Sequence, residues 1–231
     1  MIFTQTISHF PVPYDPELGA QVGALYTALP SDAQRLIAGI AGSSPYLGRL
    51  LERHRDWILK HAQNTPEDAV DAAMVLEGEI GPALRIAKGR VALVLALCDL
   101  SHLREMEWVT QRLTVFADFA VQTALDAELQ VMADDGKLDR ALLNDGAAAG
   151  VFVLAMGKMG AFELNYSSDI DLICLFDETR FDPADYHDAR AGFIRVTRKM
   201  AAILSDAAAG GYVFRTDLRL RPDPNSTPVC I

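Results

Sequence analysis

Asp169 and Asp171 stand two residues apart at the head of an apolar run, Ile170 to Phe176, that only Asp171 interrupts. Alternation along a strand puts both carboxylates on one face and turns Ile170 and Leu172 to the other. Two carboxylates forced together repel each other unless a cation lies between them, and a hard divalent ion with oxygen ligands, Mg²⁺ or Mn²⁺, meets that need. Upstream, a second apolar run, Val151 to Met156, leads into Gly157, Lys158, Met159 and Gly160. A turn built on Gly157 and Gly160 allows close backbone approach and can present successive amide N–H groups to phosphate, with Lys158 adding a cation. Metal ligands beside a phosphate cradle suit phosphoryl or nucleotidyl transfer, in which catalysis is mostly positioning and charge neutralisation. A lone Asp-x-Asp is common and is usually a solvated pair. This one opens a strand too apolar to be exposed, follows a Gly-x-x-Gly turn, and has Ser167 and Ser168 directly before it.

The elements that must position these residues are a strand, a glycine turn, a short connection and a second strand, followed by an acidic loop over residues 178–186. A helix is expected from Asp188 to Ala209, with Phe193, Val196, Thr197, Met200, Ile203 and Leu204 on one side and Arg195, Arg198 and Lys199 on the other; Gly210 and Gly211 stop it. From Tyr212 to Arg221 the residues alternate. Tyr212, Phe214, Thr216, Leu218 and Leu220 define an apolar face, opposed by Val213, Arg215, Asp217, Arg219 and Arg221, which reads as a further strand. On spacing alone Asp217 serves equally well in a strand ion pair or in a site.

Everything before about residue 145 reads as helix. Ser31 with Gln34 forms a capping-box pattern, and Ser44-Pro45 and Thr65-Pro66 each set a hydroxyl cap before a proline. Apolar residues recur at helical spacing over 80–100 and 105–132. Trp57, Trp108, Phe116 and Phe119 read as core packing, and the histidines are isolated, without the four-residue spacing of a zinc-protease helix. Turn signals at Asp135-Gly136 and at Asn144-Asp145-Gly146 mark a linker, so the expected domains are a helical one, 1–145, and a smaller one, 146–231.

Composition narrows the function classes. The chain has 231 residues, half of them hydrophobic and 23% charged, with a formal net charge of −10. Its pI is about 4.9. This balance disfavours nucleic acid as the principal partner, because such binding rests on Lys and Arg neutralising phosphates. Cys98, Cys174 and Cys230 lie far apart among apolar neighbours and read as core thiols of a reducing compartment. The opening residues MIFTQTISHF lack a basic start and a long apolar run, and residues 91–97 are far shorter than the ~20 residues of a membrane span. The expectation is a cytoplasmic protein with no membrane segment.

The block GKMGAFELNYSSDIDL, from Gly157 to Leu172, resembles the signature of the bifunctional glutamine synthetase adenylyltransferase/adenylyl-removing enzymes, members of the DNA polymerase beta-like nucleotidyltransferase superfamily. TDLRLRPDPNSTP, from Thr216 to Pro228, is similar to the family's second block, and SHFPVPYDPELG and SSPYLGRLLERHRDWI to its opening helices. The resemblance implies an α+β fold, with an all-helical region followed by a polymerase beta-like mixed sheet. It also implies a third metal carboxylate at Asp217, so that Asp169, Asp171 and Asp217 hold two Mg²⁺ ions. Ser167, Ser168, Arg219 and Arg221 would meet phosphate.

In that family one such domain attaches AMP from ATP to a tyrosine of glutamine synthetase, and a related one removes it with inorganic phosphate, releasing ADP. Position near the family's beginning implies the removing activity, although the motif itself is common to both directions, and control by a PII signalling protein is implied as well. The family's proteins are several times longer. The chain is therefore expected to be truncated, with a sheet lacking its last strand, which leaves room for two rival readings: transfer to another target, or a non-catalytic module that senses nucleotide.

Overall fold

The computed structural model describes residues 7–143, 148–221, 223 and 225–231. The turn expected at Asn144-Asp145-Gly146 lies outside the described residues, as do Pro222 and Pro224 of the second motif block. The chain divides into two compact units, Met1–Leu76 with Ile86–Leu113, and Glu77–Arg85 with Thr114–Ile231. The domain boundary read from turn signals at residue 145 falls inside the second unit. The fold is α+β, helical before residue 151 among the described residues and built on a small mixed sheet after it. No helix among the described residues is long and apolar enough to cross a membrane.

In the first unit, short helices begin where polar caps meet prolines. Asp15 caps α1 (Pro16–Gly23), its carboxylate accepting from the Leu18 amide. Ser44 caps α3 (Pro45–Arg53) and Thr65 caps α5 (Pro66–Ala73) through their hydroxyls. Each cap satisfies an amide that helix geometry leaves without a partner, and contributes about 1 kcal/mol. Between α1 and α3, α2 (Ser31–Ser43) starts without the expected capping box. Its N-cap is Pro30, and Gln34 donates its side-chain amide to the Leu29 carbonyl instead, because Ser31 is already inside the first turn. The short α4 (Arg55–Lys60) follows α3 directly.

Two long helices, α6 (Ile80–Leu100) and α7 (Met106–Asp134), contribute residues to both units. Val91 to Cys98 is buried without a break, which requires apolar side chains around the whole circumference. Phe116 is in the core as read from sequence. Trp57 and Trp108 are only half-buried. Arg90 lies over the Trp57 ring, and Arg104 and Arg112 lie over Trp108, so these indoles carry guanidinium groups on their faces rather than filling the interior. All three cysteines are free and buried, and burial pushes the Cys98 and Cys174 thiols up to about 12.

The second unit carries the sheet, in the order β1-β2-β3. β1 (Val151–Met156) pairs antiparallel with β2 (Ile170–Phe176), and β3 (Thr216–Asp217) pairs parallel with β2. The one-turn α8 (Gly157–Gly160) joins β1 to the connection that leads into β2. α9 (Tyr186–Ser205) packs its apolar side, including Phe193, Val196, Thr197, Met200 and Leu204, on the buried face of the sheet, with Phe193 and Phe176 ring centroids 5.1 Å apart. It ends at Ser205, short of Gly210 and Gly211.

The strand read over Tyr212 to Arg221 is largely absent. Only Thr216 and Asp217 pair with β2, Val213 and Phe214 are both buried, and Leu220 is 46% exposed. Neighbouring residues cannot both face the core from a regular strand. The cause is the end of α9: the Leu204 carbonyl accepts from both the Val213 and the Phe214 amides, which turns the chain back before it can extend. Farther along β2, Cys230 bridges Cys174 in parallel, and the Ile231 amide donates to the Cys174 carbonyl.

Burial gives the first unit a pH dependence. His54 is 7% exposed, and burial, with Arg90 and Arg53 nearby, lowers its pKa from 6.5 to about 4. The neutral ring is favoured in the fold, so the unfolded chain binds the extra proton between these values, and stability held above pH 6.5 is lost as pH falls toward 4. Thermal melts from pH 7 to pH 4 should show this loss, and His54→Gln should flatten the slope. Parallel slopes in the two proteins would exclude His54 as the cause.

Candidate functional site

The buried face of β2 carries Ile170, Leu172, Cys174 and Phe176, all less than 10% exposed, while Asp171, Ile173 and Leu175 on the other face are half-buried. The alternation read from sequence is therefore the one the fold uses. In the parallel register Asp171 lies directly beside Asp217, and Ile170 beside Thr216. Asp169, two residues before Asp171, shares its face and meets Arg215, two residues before Asp217. Two facing pairs result: acid with arginine at the end of the sheet, acid with acid one step inward.

Arg215 donates its Nε to Asp169 Oδ1 and an Nη2 hydrogen to the Ser167 carbonyl at 2.9 Å. Arg219 closes on Asp217, with Nε 3.0 Å from Oδ1 and 2.9 Å from Oδ2, and its own amide donates to Oδ1 at 2.8 Å. These bonds hold the Asp217 carboxyl below the usual carboxylate range. Among the described residues no hydrogen bond or ion pair engages the Asp171 side chain, although its charge acts on Arg219. Its Oδ2 lies so near Gly157 that a Cβ there would sit 3.0 Å from it. The acid face and the glycine turn are thus in contact through one carboxylate oxygen.

Gly157 has φ +57, and a Cβ on Gly160 would come within 2.4 Å of the Ala155 carbonyl oxygen. Both positions demand glycine for steric reasons. Lys158 between them is exposed. Ser168 completes a turn around Asn165, its hydroxyl donating to Asn165 Oδ1 at 2.8 Å while the Ser167 amide donates to the same oxygen at 3.2 Å. Arg221 is spent on the loop that follows β3, with Nε 2.8 Å from the Thr227 carbonyl and Nη1 on the Leu218 carbonyl. It braces backbone, and its charge adds to that of Arg219 in holding the Asp217 carboxyl low.

Sequence reasoning missed three positioning residues. Asn165 organises the turn before Asp169, Arg215 pairs with Asp169, and Ser205 links α9 to β3, its hydroxyl donating to the Phe214 carbonyl and accepting from the Thr216 amide, both at 3.1 Å. For Arg215 the signal was present, since alternation set it on the face of Asp217. Its partner was decided by a register that no local pattern contains.

A metal ion would draw on Asp169, Asp171 and Asp217. Among the described residues no three acidic, histidine or cysteine side chains stand together as a ready metal cluster. Guanidinium groups occupy the place of a cation at Asp169 and Asp217. The donor set is nonetheless three hard carboxylates on one sheet face, two of them neighbours in register, which fits a divalent ion with oxygen ligands.

A family model described as "Glutamate-ammonia ligase adenylyltransferase" matches residues 33–231. Curated relatives carry the name "Bifunctional glutamine synthetase adenylyltransferase/adenylyl-removing enzyme". One from Rhodopseudomonas palustris (strain TIE-1) is 40% identical over 227 residues, covering 94% of this chain and 23% of the relative. Others come from Agrobacterium fabrum, 42% identical with 75% and 18% covered, and Rhizobium meliloti, 46% identical with 71% and 17% covered. The chain spans less than a quarter of the length of these relatives.

The turn beside Asp171 makes a pair of opposite predictions. Gly160→Ala should lower the melting temperature, because the added methyl meets backbone that cannot yield, at a cost of about 1–3 kcal/mol. Phe162 closes the same turn at φ 60 with its ring half exposed, its amide donating to the Met159 carbonyl at 3.1 Å. Phe162→Gly should therefore raise stability, by about 1 kcal/mol. Thermal or urea unfolding measures both, and equal signs would contradict this geometry.

Proposed function

The chain belongs to the glutamate-ammonia ligase adenylyltransferase family, and from that premise we propose that its second unit carries a Mg²⁺- or Mn²⁺-dependent nucleotidyl-transfer site acting on glutamine synthetase. The reaction we assign is phosphorolytic removal of AMP from an adenylylated tyrosine. The supporting observation is the register of β2 and β3, which sets Asp171 against Asp217 with the glycine turn alongside. Asp169, Asp171 and Asp217 would hold the metal. When bound, the ion neutralises charge on the phosphoryl oxygens entering and leaving at the reacting phosphorus.

An oxygen of inorganic phosphate attacks the adenylyl phosphorus, the bond from that phosphorus to the tyrosyl oxygen breaks, and the tyrosyl oxygen takes a proton; the products are ADP and unmodified tyrosine. The protein's own part is positioning. Asp217 would be one of the carboxylates that hold the metal, and Arg219, 82% exposed on its side chain, has the planar fork suited to bidentate donation to the phosphate anion. Lys158 adds a second cation from the glycine turn, and Asn165 keeps Ser167 and Ser168 fixed next to Asp169. Arg221 is left out of this assignment because its guanidinium braces the loop. Attachment of AMP from ATP to the tyrosine, with pyrophosphate leaving, would use the same groups. Reduced, buried thiols agree with a cytoplasmic setting.

Adenylylated glutamine synthetase, Mg²⁺ and increasing phosphate should yield ADP with a saturable phosphate dependence. Asp171→Asn should abolish ADP release while leaving the circular dichroism spectrum unchanged, and Arg219→Ala should weaken the apparent affinity for phosphate more than that for the adenylylated protein. Full activity in Asp171→Asn, or ADP release independent of phosphate, would refute the assignment.

A further inference from the structure

The face of the sheet that carries Asp171 is not polar beyond it. Met156 stands opposite Asp171 in the antiparallel register, Leu154 opposite Ile173, and Phe152 opposite Leu175. Met156, Leu154 and Phe152 are 39%, 44% and 47% exposed, and Ile173 and Leu175 are half-buried. A sheet face meant only for water carries polar side chains at these positions. Here β1 presents three successive outward residues that are all apolar, and neither strand places a charged group on this face between Asp171 and the far end.

The apolar shelf therefore starts at the acid pair and runs away from it. With a divalent ion held by the acids, as proposed above, a ligand that matches both parts is anionic at one end and flat and uncharged at the other, as a nucleotide is. Leu154 lies two residues beyond Met156, about 7 Å along the strand, a separation that a ribose can span between phosphate and base. We propose that Met156, Leu154 and Ile173 form the platform for the purine ring of the nucleotide whose phosphates lie at Asp171 and Asp217. This rests on the reading of those acids as the phosphate and metal site. The adenylyl group is common to both reaction directions, so the platform serves either one.

The chemistry of the shelf sets its selectivity. Its side chains carry no hydrogen-bond donor and only the weak thioether acceptor of Met156, so they recognise ring area and not the pattern of a base edge. ATP and GTP should bind alike, CTP less tightly, and inorganic tripolyphosphate, which has no ring, weakest of all.

Equilibrium binding of these four compounds to the 231-residue chain in the presence of Mn²⁺ tests the proposal. Wild type should favour ATP over tripolyphosphate by about tenfold, and Leu154→Ser should remove about fivefold of that preference, with tripolyphosphate binding unchanged. Leu154→Trp provides a second measurement, because stacking should quench the added indole's fluorescence with ATP and GTP and leave it unaffected by tripolyphosphate. The proposal is overturned by an ATP to tripolyphosphate ratio that Leu154→Ser does not change, by the absence of any quench, or by a quench that N-acetyltyrosinamide produces in place of nucleotide. Asp171→Asn separates this from the underlying reading. If it leaves tripolyphosphate binding intact, the acid site is wrong and the platform falls with it; if it abolishes tripolyphosphate binding while Leu154→Ser changes nothing, only the platform is wrong.

Discussion

The parallel pairing of β2 with β3 is the constraint on which the site depends. It covers two residue pairs, and one of them sets Asp171 against Asp217. Like charges directly opposite each other in a sheet are unfavourable by up to about 1 kcal/mol, and a two-residue ladder has little to offset that by itself. The compensation comes from just outside the strand. Val213 and Phe214 are fully buried, the Phe214 ring lies 5.7 Å from Phe116, and burying side chains of this size contributes about 1.5–3 kcal/mol each. Hydrophobic packing wins, and the carboxylates are held together by residues that never touch them.

The same balance accounts for the arginines. Arg215 and Arg219 are exposed ion-pair partners at the edge of the acid face. Exposed pairs add little to stability, so losing either guanidinium would cost the fold little. Asp171 differs. Its near neighbour is the Gly157 backbone, where any side chain would crowd its Oδ2, and among the described residues it has no ion pair to break.

How much of this was legible in the chain depends on the range of the signal. Alternation in Ile170 to Phe176 and glycine at 157 and 160 are local properties, and the structure uses them as read. Caps at Ser44 and Thr65 are equally local and also hold. Tyr212 to Arg221 alternates just as clearly, yet only two residues form strand, because a strand needs a partner and the Leu204 carbonyl captures Val213 and Phe214 first. Arg221, which the resemblance sets among the phosphate ligands, follows the end of that strand, and its guanidinium donates to the Thr227 and Leu218 carbonyls. The pairing of Asp169 with Arg215 and the apolar shelf opposite Ile173 are properties of register between strands, which composition and spacing do not encode.

The central claim is that the acid face of β2 and β3 is a divalent-cation site that the resting arginines only substitute for. Its most direct test is thermal denaturation of the isolated chain against MnCl₂ concentration, without nucleotide or protein substrate. Ligand binding to the native state raises the melting temperature in a saturable way. Wild type should show such a rise, and Asp171→Asn and Asp217→Asn should each lose it. A wild-type melting temperature indifferent to Mn²⁺, or the same rise in both variants, would contradict the claim.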